Sequence, residues 1–328
     1  MDYGAIIKRS VELTWRNKLL WVFGILVAIF AGGAGGNAGQ GLQYTFNQQD
    51  MERWRRTMPY GMLPWRQLAA VGVGLIIVLV LLVLVWIVVR VIVGYTSEGA
   101  LVAAADDLDR GRKPTFREAF SRGWQRFLRL FAQDLIIGLI AFVVALIVLL
   151  AYAIVAGLIL APGIVAVAAN GDISRTLGII WLVLLGIVVF VGFVLVVAAI
   201  AAAQTVVRAY ALRASVLKLE GVFDALGSAW ALLRARLRQS LAMWLWMALI
   251  SLGIALVLLP IALLVGVLLA APAAGLFALS RSPVLPALLL VPLLGLLALV
   301  TVWFSGLLTA FKSTVWTLTY NELTLERD

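Results

Sequence analysis

Residues 68–89 read LAAVGVGLIIVLVLLVLVWIVV, and no charged side chain interrupts them. A helix needs about 20 apolar residues to cross the hydrocarbon core of a bilayer, so this stretch is long enough to span a membrane. The whole chain has the same character, because 64% of its 328 residues are hydrophobic and only 13% are charged. A soluble domain is about 45–50% apolar and about 25% charged. The sequence therefore predicts an all-α integral membrane protein.

This apolar run continues to Gly94 with Arg90 as its one interruption, and five further apolar runs bring the prediction to six transmembrane helices. They cover about residues 19–34, 135–169, 177–207, 241–271 and 287–310. The run at 19–34 is the shortest and follows a basic flank, a pattern that is also typical of a cleavable signal peptide. That flank is long and contains acidic residues, which favours an uncleaved signal anchor.

The positions of lysine and arginine predict that both termini lie in the cytoplasm. Of the 26 such residues, all but six fall in segments on the same side as the N-terminus. The six on the opposite side are Arg53, Arg55, Arg56, Arg66, Arg175 and Arg281. Cytoplasmic loops carry an excess of positive charge. The sequence thus predicts a multi-pass protein of a bacterial cytoplasmic (inner) membrane, with N-in and C-in orientation.

The net charge of +10 has two possible explanations. Clustered lysine and arginine are typical of proteins that bind nucleic acid. Here the charges lie in short loops beside apolar spans, where the anionic lipids of the inner leaflet explain them more simply. We therefore predict membrane lipids, especially anionic inner-leaflet lipids, as partners and no nucleic acid.

Three tryptophans end similar stretches of sequence on the predicted cytoplasmic side. In each stretch, apolar residues lie four and eight positions before the tryptophan. The three sets are Ile7, Val11 and Trp15; Phe116, Phe120 and Trp124; and Val222, Leu226 and Trp230. This spacing places them on one face of a helix, and Thr115 with Glu118 predicts a capping box at the start of the middle one. Each stretch is predicted to be an amphipathic helix in the membrane interface.

The three stretches also predict an internal repeat. Each would begin a unit of interfacial helix, outward span and inward span, so that the six spans form three parallel hairpins. The predicted organisation is a single membrane domain, 1–328, with repeats at about 1–107, 108–214 and 215–328. The alternative is that three ordinary connectors resemble each other because interfacial helices share a composition.

The candidate functional residues are cations. Arg90, Arg208 and Lys312 lie near the inner ends of the even-numbered spans, where long side chains either extend to the headgroups or form a ring that binds an anionic lipid or ligand. Interfacial anchors are predicted at the three tryptophans and at Arg117, Arg122, Arg126, Arg234 and Arg238. Gln204 is the most notable polar residue within a predicted span.

Residue types that carry common chemistry are scarce. The chain has no histidine and no cysteine, which excludes disulfides, thiol catalysis and histidine-bound metal. Asp106 to Arg110 contains three aspartates, but its spacing is not that of an EF-hand, and no metal or cofactor is predicted. A membrane enzyme would have to use Asp106, Arg110, Arg117 and Glu118, the one plausible group on the inner face.

The stretch WRNKLLWVFG, residues 15–24, precedes a run of glycine and alanine at 31–36. Together with the recurring helix of the Phe116–Trp124 kind, it resembles uncharacterised bacterial polytopic membrane proteins. Among named families it is similar to the membrane domain attached to some glycerophosphodiester phosphodiesterases. The resemblance implies the membrane architecture alone, because the catalytic domain of those enzymes uses histidine and acidic metal ligands.

These observations predict a non-enzymatic membrane protein that acts as a scaffold, organises lipids or serves as an accessory subunit of a complex with another membrane protein. The alternative is a transporter or channel whose pathway runs between the repeats. A continuous cavity lined by polar side chains would favour the alternative, whereas an apolar interior would favour the first function.

Overall fold

A computed structural model of the chain describes residues 2–31, 65–169, 171–280 and 284–325. Every regular element in these residues is an α-helix. The helices are α1 (Tyr3–Arg16), α2 (Lys18–Phe30), α3 (Trp65–Asp109), α4 (Phe116–Trp124), α5 (Phe127–Ala168), α6 (Asp172–Leu217), α7 (Val222–Ala235), α8 (Leu237–Ser280) and α9 (Val284–Leu325). The predicted outer cations Arg53, Arg55, Arg56 and Arg281 lie outside the described residues, as does the glycine run after Ala31.

Five of the six predicted spans are confirmed as helices that are long and apolar enough to cross a membrane: α3, α5, α6, α8 and α9. The first predicted span corresponds to α2, which has 13 residues and a length of about 20 Å, shorter than the hydrocarbon core of about 30 Å. Helices α1 and α2 together would count as a sixth span, but they meet at a bend of 94°. A protein with this many long apolar helices is a multi-pass membrane protein.

The long helices extend well beyond the predicted spans. Helix α3 has 45 residues, which corresponds to about 68 Å, more than twice the thickness of the hydrocarbon core. Its side chains from Leu75 to Val89 are 38–65% exposed on every face, whereas nearly all residues from Gly94 to Asp107 are buried. The sequence placed the end of this span near Gly94. The helix continues because the alanine-rich segment that follows packs against α2 and α4.

The chain forms two compact units. The first comprises Arg9–Phe127 and Ala271–Thr314, and the second comprises Met1–Lys8, Leu128–Ala270 and Val315–Asp328. In the first unit, α2 packs along the buried half of α3. The core contains Leu20, Phe23 and Val27 of α2, Ala100, Leu101, Ala104 and Ala105 of α3, Ala119 of α4 and Ala310 of α9.

The sharp bend between α1 and α2 is held by side chains. Asn17 Nδ2 donates to the carbonyl oxygen of Leu13 at 2.8 Å, and Trp21 Nε1 donates to that of Thr14 at 2.6 Å. The last carbonyl groups of a helix have no partner within the helix. These two hydrogen bonds satisfy carbonyl groups at the end of α1, so α1 ends at Arg16 and α2 continues in a new direction.

Small residues allow α1, α4 and α7 to bury one face. The buried pairs are Ser10 and Thr14, Ala119 and Gly123, and Ala225 and Ala229. In each helix the pair lies one and five positions before the tryptophan that the sequence analysis aligned. This second stripe of small residues was not predicted, although its spacing of four residues is visible in all three stretches.

The second unit contains an antiparallel hairpin of α5 and α6. Trp181 Nε1 donates to the carbonyl oxygen of Ile159 at 3.0 Å, and the hydroxyl of Tyr152 donates to the carbonyl of Val189. Nearer the other end of the hairpin, Ser215 donates to Gln133 at 2.7 Å. The third and fourth predicted spans therefore contact each other along α5 and α6. The arrangement of all six spans as three parallel hairpins stays a prediction.

Replacement of Gly123 by alanine should destabilise the packing of α4 on α3. A Cβ atom at Gly123 would lie 2.0 Å from the carbonyl oxygen of Thr96, and backbone atoms cannot yield as a flexible side chain can. Overpacking of this kind typically costs about 1–3 kcal/mol. Thermal unfolding followed by tryptophan fluorescence should show a lower melting temperature.

The matched control is Gly138→Ala in α5, where nothing lies within 4 Å of the new Cβ atom. Alanine is favoured over glycine within a helix by about 0.5–1 kcal/mol, so this variant should melt at the same temperature or slightly higher. Equal melting temperatures for the two variants would contradict the close α3–α4 contact.

Candidate functional site

The three aligned tryptophans lie on exposed faces of their helices. Trp15 is 67% exposed, Trp124 is 50% exposed and Trp230 is 46% exposed. The opposite sides of α1, α4 and α7 bury the small residues described above. A large apolar ring that is exposed on an amphipathic helix is typical of a side chain that contacts the membrane interface.

Helix α4 carries a continuous row of aromatic rings. Phe116 stacks on Phe23 of α2 with 4.9 Å between ring centroids, and on Phe120 with 5.7 Å. Trp124 follows Phe120 at 6.5 Å and contacts Phe127 at 5.4 Å. Offset and edge contacts at these distances each contribute about 0.5–1.5 kcal/mol. The row therefore stiffens the exposed apolar face of α4.

The predicted capping box at the start of α4 is confirmed. The side chain of Thr115 accepts from the backbone nitrogen of Glu118, and the carboxylate of Glu118 accepts from the backbone nitrogen of Thr115 at 2.9 Å. The backbone and side-chain hydrogen bonds from Thr115, followed by the positive charge of Arg122, hold the pKa of Glu118 below its ordinary value of 4.5. Glu118 thus has a structural role at the helix end.

The aspartates at the end of α3 pair with arginines. Arg122 of α4 donates to Asp107 at 2.7 Å, Arg110 pairs with Asp106 at 3.1 Å, and Arg9 of α1 pairs with Asp109 at 2.8 Å. The side chain of Asp107 is only 6% exposed, so its charge depends on these partners. In the described residues these pairs join α1, α3 and α4 of the first unit.

The predicted arginine anchors differ in their surroundings. Arg122 belongs to the ion pairs just described, and Arg126 also has a partner within the protein. Arg117 and Arg238 are exposed. The guanidinium of Arg234 lies over the ring of Trp230 at 4.8 Å. Arg117, Arg234 and Arg238 are therefore the members of the predicted set that are best placed to contact lipid headgroups.

The three cations predicted near the span ends also differ. Arg90 Nε donates to the carbonyl oxygen of Phe30 at 2.9 Å and thus caps the end of α2. Arg208 forms a bidentate pair with Asp134 at 2.7 and 2.8 Å. Lys312 is half-buried in α9. Their combination into a cation ring that binds an anionic lipid stays a prediction.

An apolar cleft of about 700 Å³ opens between α5, α6 and α7 of the second unit. Ile137, Ile140 and Val144 line it from α5, Ile200 and Val207 line it from α6, and Leu226 lines it from α7. Gln204 and the indole of Trp230 are the polar groups among its lining residues. The cleft is of the size of sites that bind small molecules, about 300–1,000 Å³, and its chemistry suits a hydrocarbon chain.

The comparisons with known proteins place the chain in a family. Residues 16–327 match the model of the family of unknown function DUF7544, and the chain belongs to this family. Neither the curated proteins nor the solved structures gave a match. The predicted resemblance to the membrane domain of glycerophosphodiester phosphodiesterases finds no support in these comparisons.

Replacement of Arg122 by glutamine should lower the stability of the protein. The variant removes the closest partner of the buried carboxylate of Asp107. The remaining ion pair of this carboxylate is with Arg112, at 3.7 Å. Loss of a hydrogen-bonding partner of a buried polar group costs about 1–3 kcal/mol. Thermal unfolding should reveal this loss, whereas the control Arg117→Gln, at an exposed position, should melt like the wild type. An unchanged melting temperature for Arg122→Gln would contradict the structural role of the pair.

The cap of α4 should weaken in acid. Because the pKa of Glu118 is lowered by folding, its carboxylate stabilises the protein above pH 4.5, and that contribution is lost as the pH falls through the folded-state value. The difference in melting temperature between wild type and Glu118→Gln should therefore shrink below pH 4.5. A Thr115→Ala background removes the side-chain hydrogen bond but keeps the backbone N–H that donates to Glu118, so there the difference should be smaller without vanishing. A difference that stays the same above and below pH 4.5 in the wild-type background would refute the assigned cause.

Proposed function

We propose that this member of the DUF7544 family is a non-enzymatic lipid-organising or scaffold protein of the bacterial inner membrane. In this function the basic, tryptophan-bearing helices α1, α4 and α7 lie at the cytoplasmic surface of the bilayer, with both termini on that side. Anionic phospholipids of the inner leaflet are the partners, and another membrane protein is a further candidate partner.

The observation that carries the proposal is the outward position of Trp15, Trp124 and Trp230 on helices whose opposite faces are buried. In water, three exposed tryptophans on amphipathic helices would be unfavourable. At a membrane interface the same rings contact the acyl boundary while neighbouring cations reach the headgroups. Each cation close to an anionic surface contributes about 1 kcal/mol, so even a few would select anionic lipids.

The shared architecture of α1, α4 and α7 supports the proposed repeat. All three combine an apolar stripe, whose tryptophan is exposed and whose other members are exposed or partly buried, with a buried pair of small residues at a spacing of four. They differ at their ends, since α1 and α4 end within a residue of the tryptophan, whereas α7 continues beyond Trp230 to Ala235. The cleft between α5, α6 and α7 does not support the transporter alternative, because its apolar lining offers no route for ions.

Anionic phospholipids should be enriched around the protein when it is extracted from bacterial membranes in polymer-bounded nanodiscs. Replacement of both Arg117 and Arg238 by glutamine should reduce this enrichment several-fold, because each removed cation contributes about 1 kcal/mol of attraction. Lipid mass spectrometry of the nanodiscs, compared with the whole membrane, gives the enrichment.

The matched control is Arg175→Gln, which removes an exposed arginine that we place on the opposite side of the membrane. This variant should keep the wild-type enrichment. A lipid composition equal to that of the whole membrane, or an equal loss in the control, would contradict the proposed function.

A further inference from the structure

Gln204 presents a primary amide to the apolar cleft between α5, α6 and α7. The side chain of Gln204 is exposed, and no hydrogen bond of its amide is found within the described part of the chain. A polar group without a partner is strongly unfavourable in a hydrocarbon environment. A ligand that brings an acceptor into the cleft would remove this cost.

We propose that the cleft binds one glycerophospholipid, with an acyl chain against its apolar lining and an ester carbonyl oxygen accepting from the amide of Gln204. The proposed site deepens the lipid-organising function and rests on it. It adds a specific, tightly held lipid to the general enrichment of anionic lipids around the protein.

The depth of Gln204 fits the ester groups of a phospholipid. Gln204 lies one helical turn, about 6 Å, before Arg208. The ion pair of Arg208 with Asp134 places charged groups at this depth of the α5–α6 hairpin. From Gln204 toward the membrane centre the cleft follows α6 as far as Ala199, about 8 Å, compared with about 15 Å for half of the hydrocarbon core. The part of one acyl chain next to the glycerol can therefore lie in the cleft while its ester group remains near Gln204.

The charges beside the cleft favour an anionic headgroup. Trp230 lines the cleft, and the guanidinium of Arg234 lies 4.8 Å from the centroid of its ring. The charge of Arg208 is balanced by Asp134, whereas Arg234 adds a positive charge next to the indole. A phosphate group near Arg234 would complete the lipid site.

A phospholipid fits these observations better than a partner helix does. The backbone amides of a transmembrane helix are satisfied within the helix, so such a partner would need a polar side chain opposite Gln204. Every diester phospholipid carries carbonyl oxygens at this depth. A second copy of the chain or another membrane protein in the cleft is thus an alternative outcome of the experiment.

The experiment compares lipids with and without ester carbonyls on the full-length protein. Native mass spectrometry measures the binding of diester phosphatidylglycerol and of its diether analogue to the detergent-purified chain. The wild type should retain one diester lipid with roughly five- to tenfold higher affinity than the diether lipid, the effect expected of one hydrogen bond. Gln204→Leu should remove this preference, and Ala203→Phe, which fills the cleft, should weaken the binding of both lipids.

Matched controls come from the same turns of α6. Thr205→Val also exchanges a polar side chain for an apolar one, and Ala201→Phe also enlarges an exposed alanine, but neither residue lines the cleft. Both variants should bind the two lipids like the wild type. Equal affinity of the wild type for diester and diether lipid, or an unchanged preference in Gln204→Leu, would overturn the site.

Other results of these experiments would distinguish a failure of the cleft site from a failure of the proposed function. If Ala203→Phe releases a second protein chain and leaves lipid binding unchanged, the cleft is a protein interface and the proposal is overturned. Enrichment of anionic lipids in nanodiscs without the ester preference would overturn the cleft site alone. An ester preference without enrichment would overturn the general lipid-organising function and support the site.

Discussion

The hydrocarbon core of a membrane offers no hydrogen-bond partners, so a chain that crosses it must satisfy its backbone internally. This constraint explains why the described residues form helices throughout, and why the exposed apolar stretches such as Leu75–Val89 need no packing partner to remain helical. It does not explain why helices such as α3, about 68 Å long, run on well beyond a hydrocarbon core of about 30 Å. That extension requires protein packing, which the buried segments Gly94–Asp107 and Ala209–Val216 supply.

Each unit thus combines two kinds of stabilisation along the same helices. The exposed stretches are stabilised by transfer into lipid, and the buried segments by close contacts between small residues, aromatic rings and ion pairs. The contact of Gly123 with Thr96 and the pair of Arg122 with Asp107 both lie between α3 and α4. Helix α4 is therefore held in place by the end of a span, while Phe116 and Trp124 of its aromatic row remain exposed.

Hydropathy and propensity were sufficient to predict the helical class, the five long spans and the capping box of α4, since each depends on local sequence. The lengths of the helices were not predictable in this way, because the extension of α3 beyond Gly94 depends on tertiary packing of residues that are only weakly apolar. The ion pairs of Asp107 and Asp109 were missed for a similar reason. Their partners Arg122 and Arg9 are distant in sequence, and nothing in the local pattern of charges selects them. The cleft beside Gln204 likewise depends on the approach of α5, α6 and α7, although Gln204 itself stood out as a polar residue within a span.

The contrast along α3 has a consequence for how its sequence can vary. Between Leu75 and Val89 the side chains face outward on all sides, so exchange of one aliphatic residue for another changes little beyond its transfer into lipid. Between Gly94 and Asp107 nearly all residues are buried, and a methyl group added at Gly94 would lie 3.1 Å from Ala31. One continuous helix thus contains a half that tolerates substitutions and a half that does not. Sequence variation among related proteins should follow that division instead of the boundaries of secondary structure.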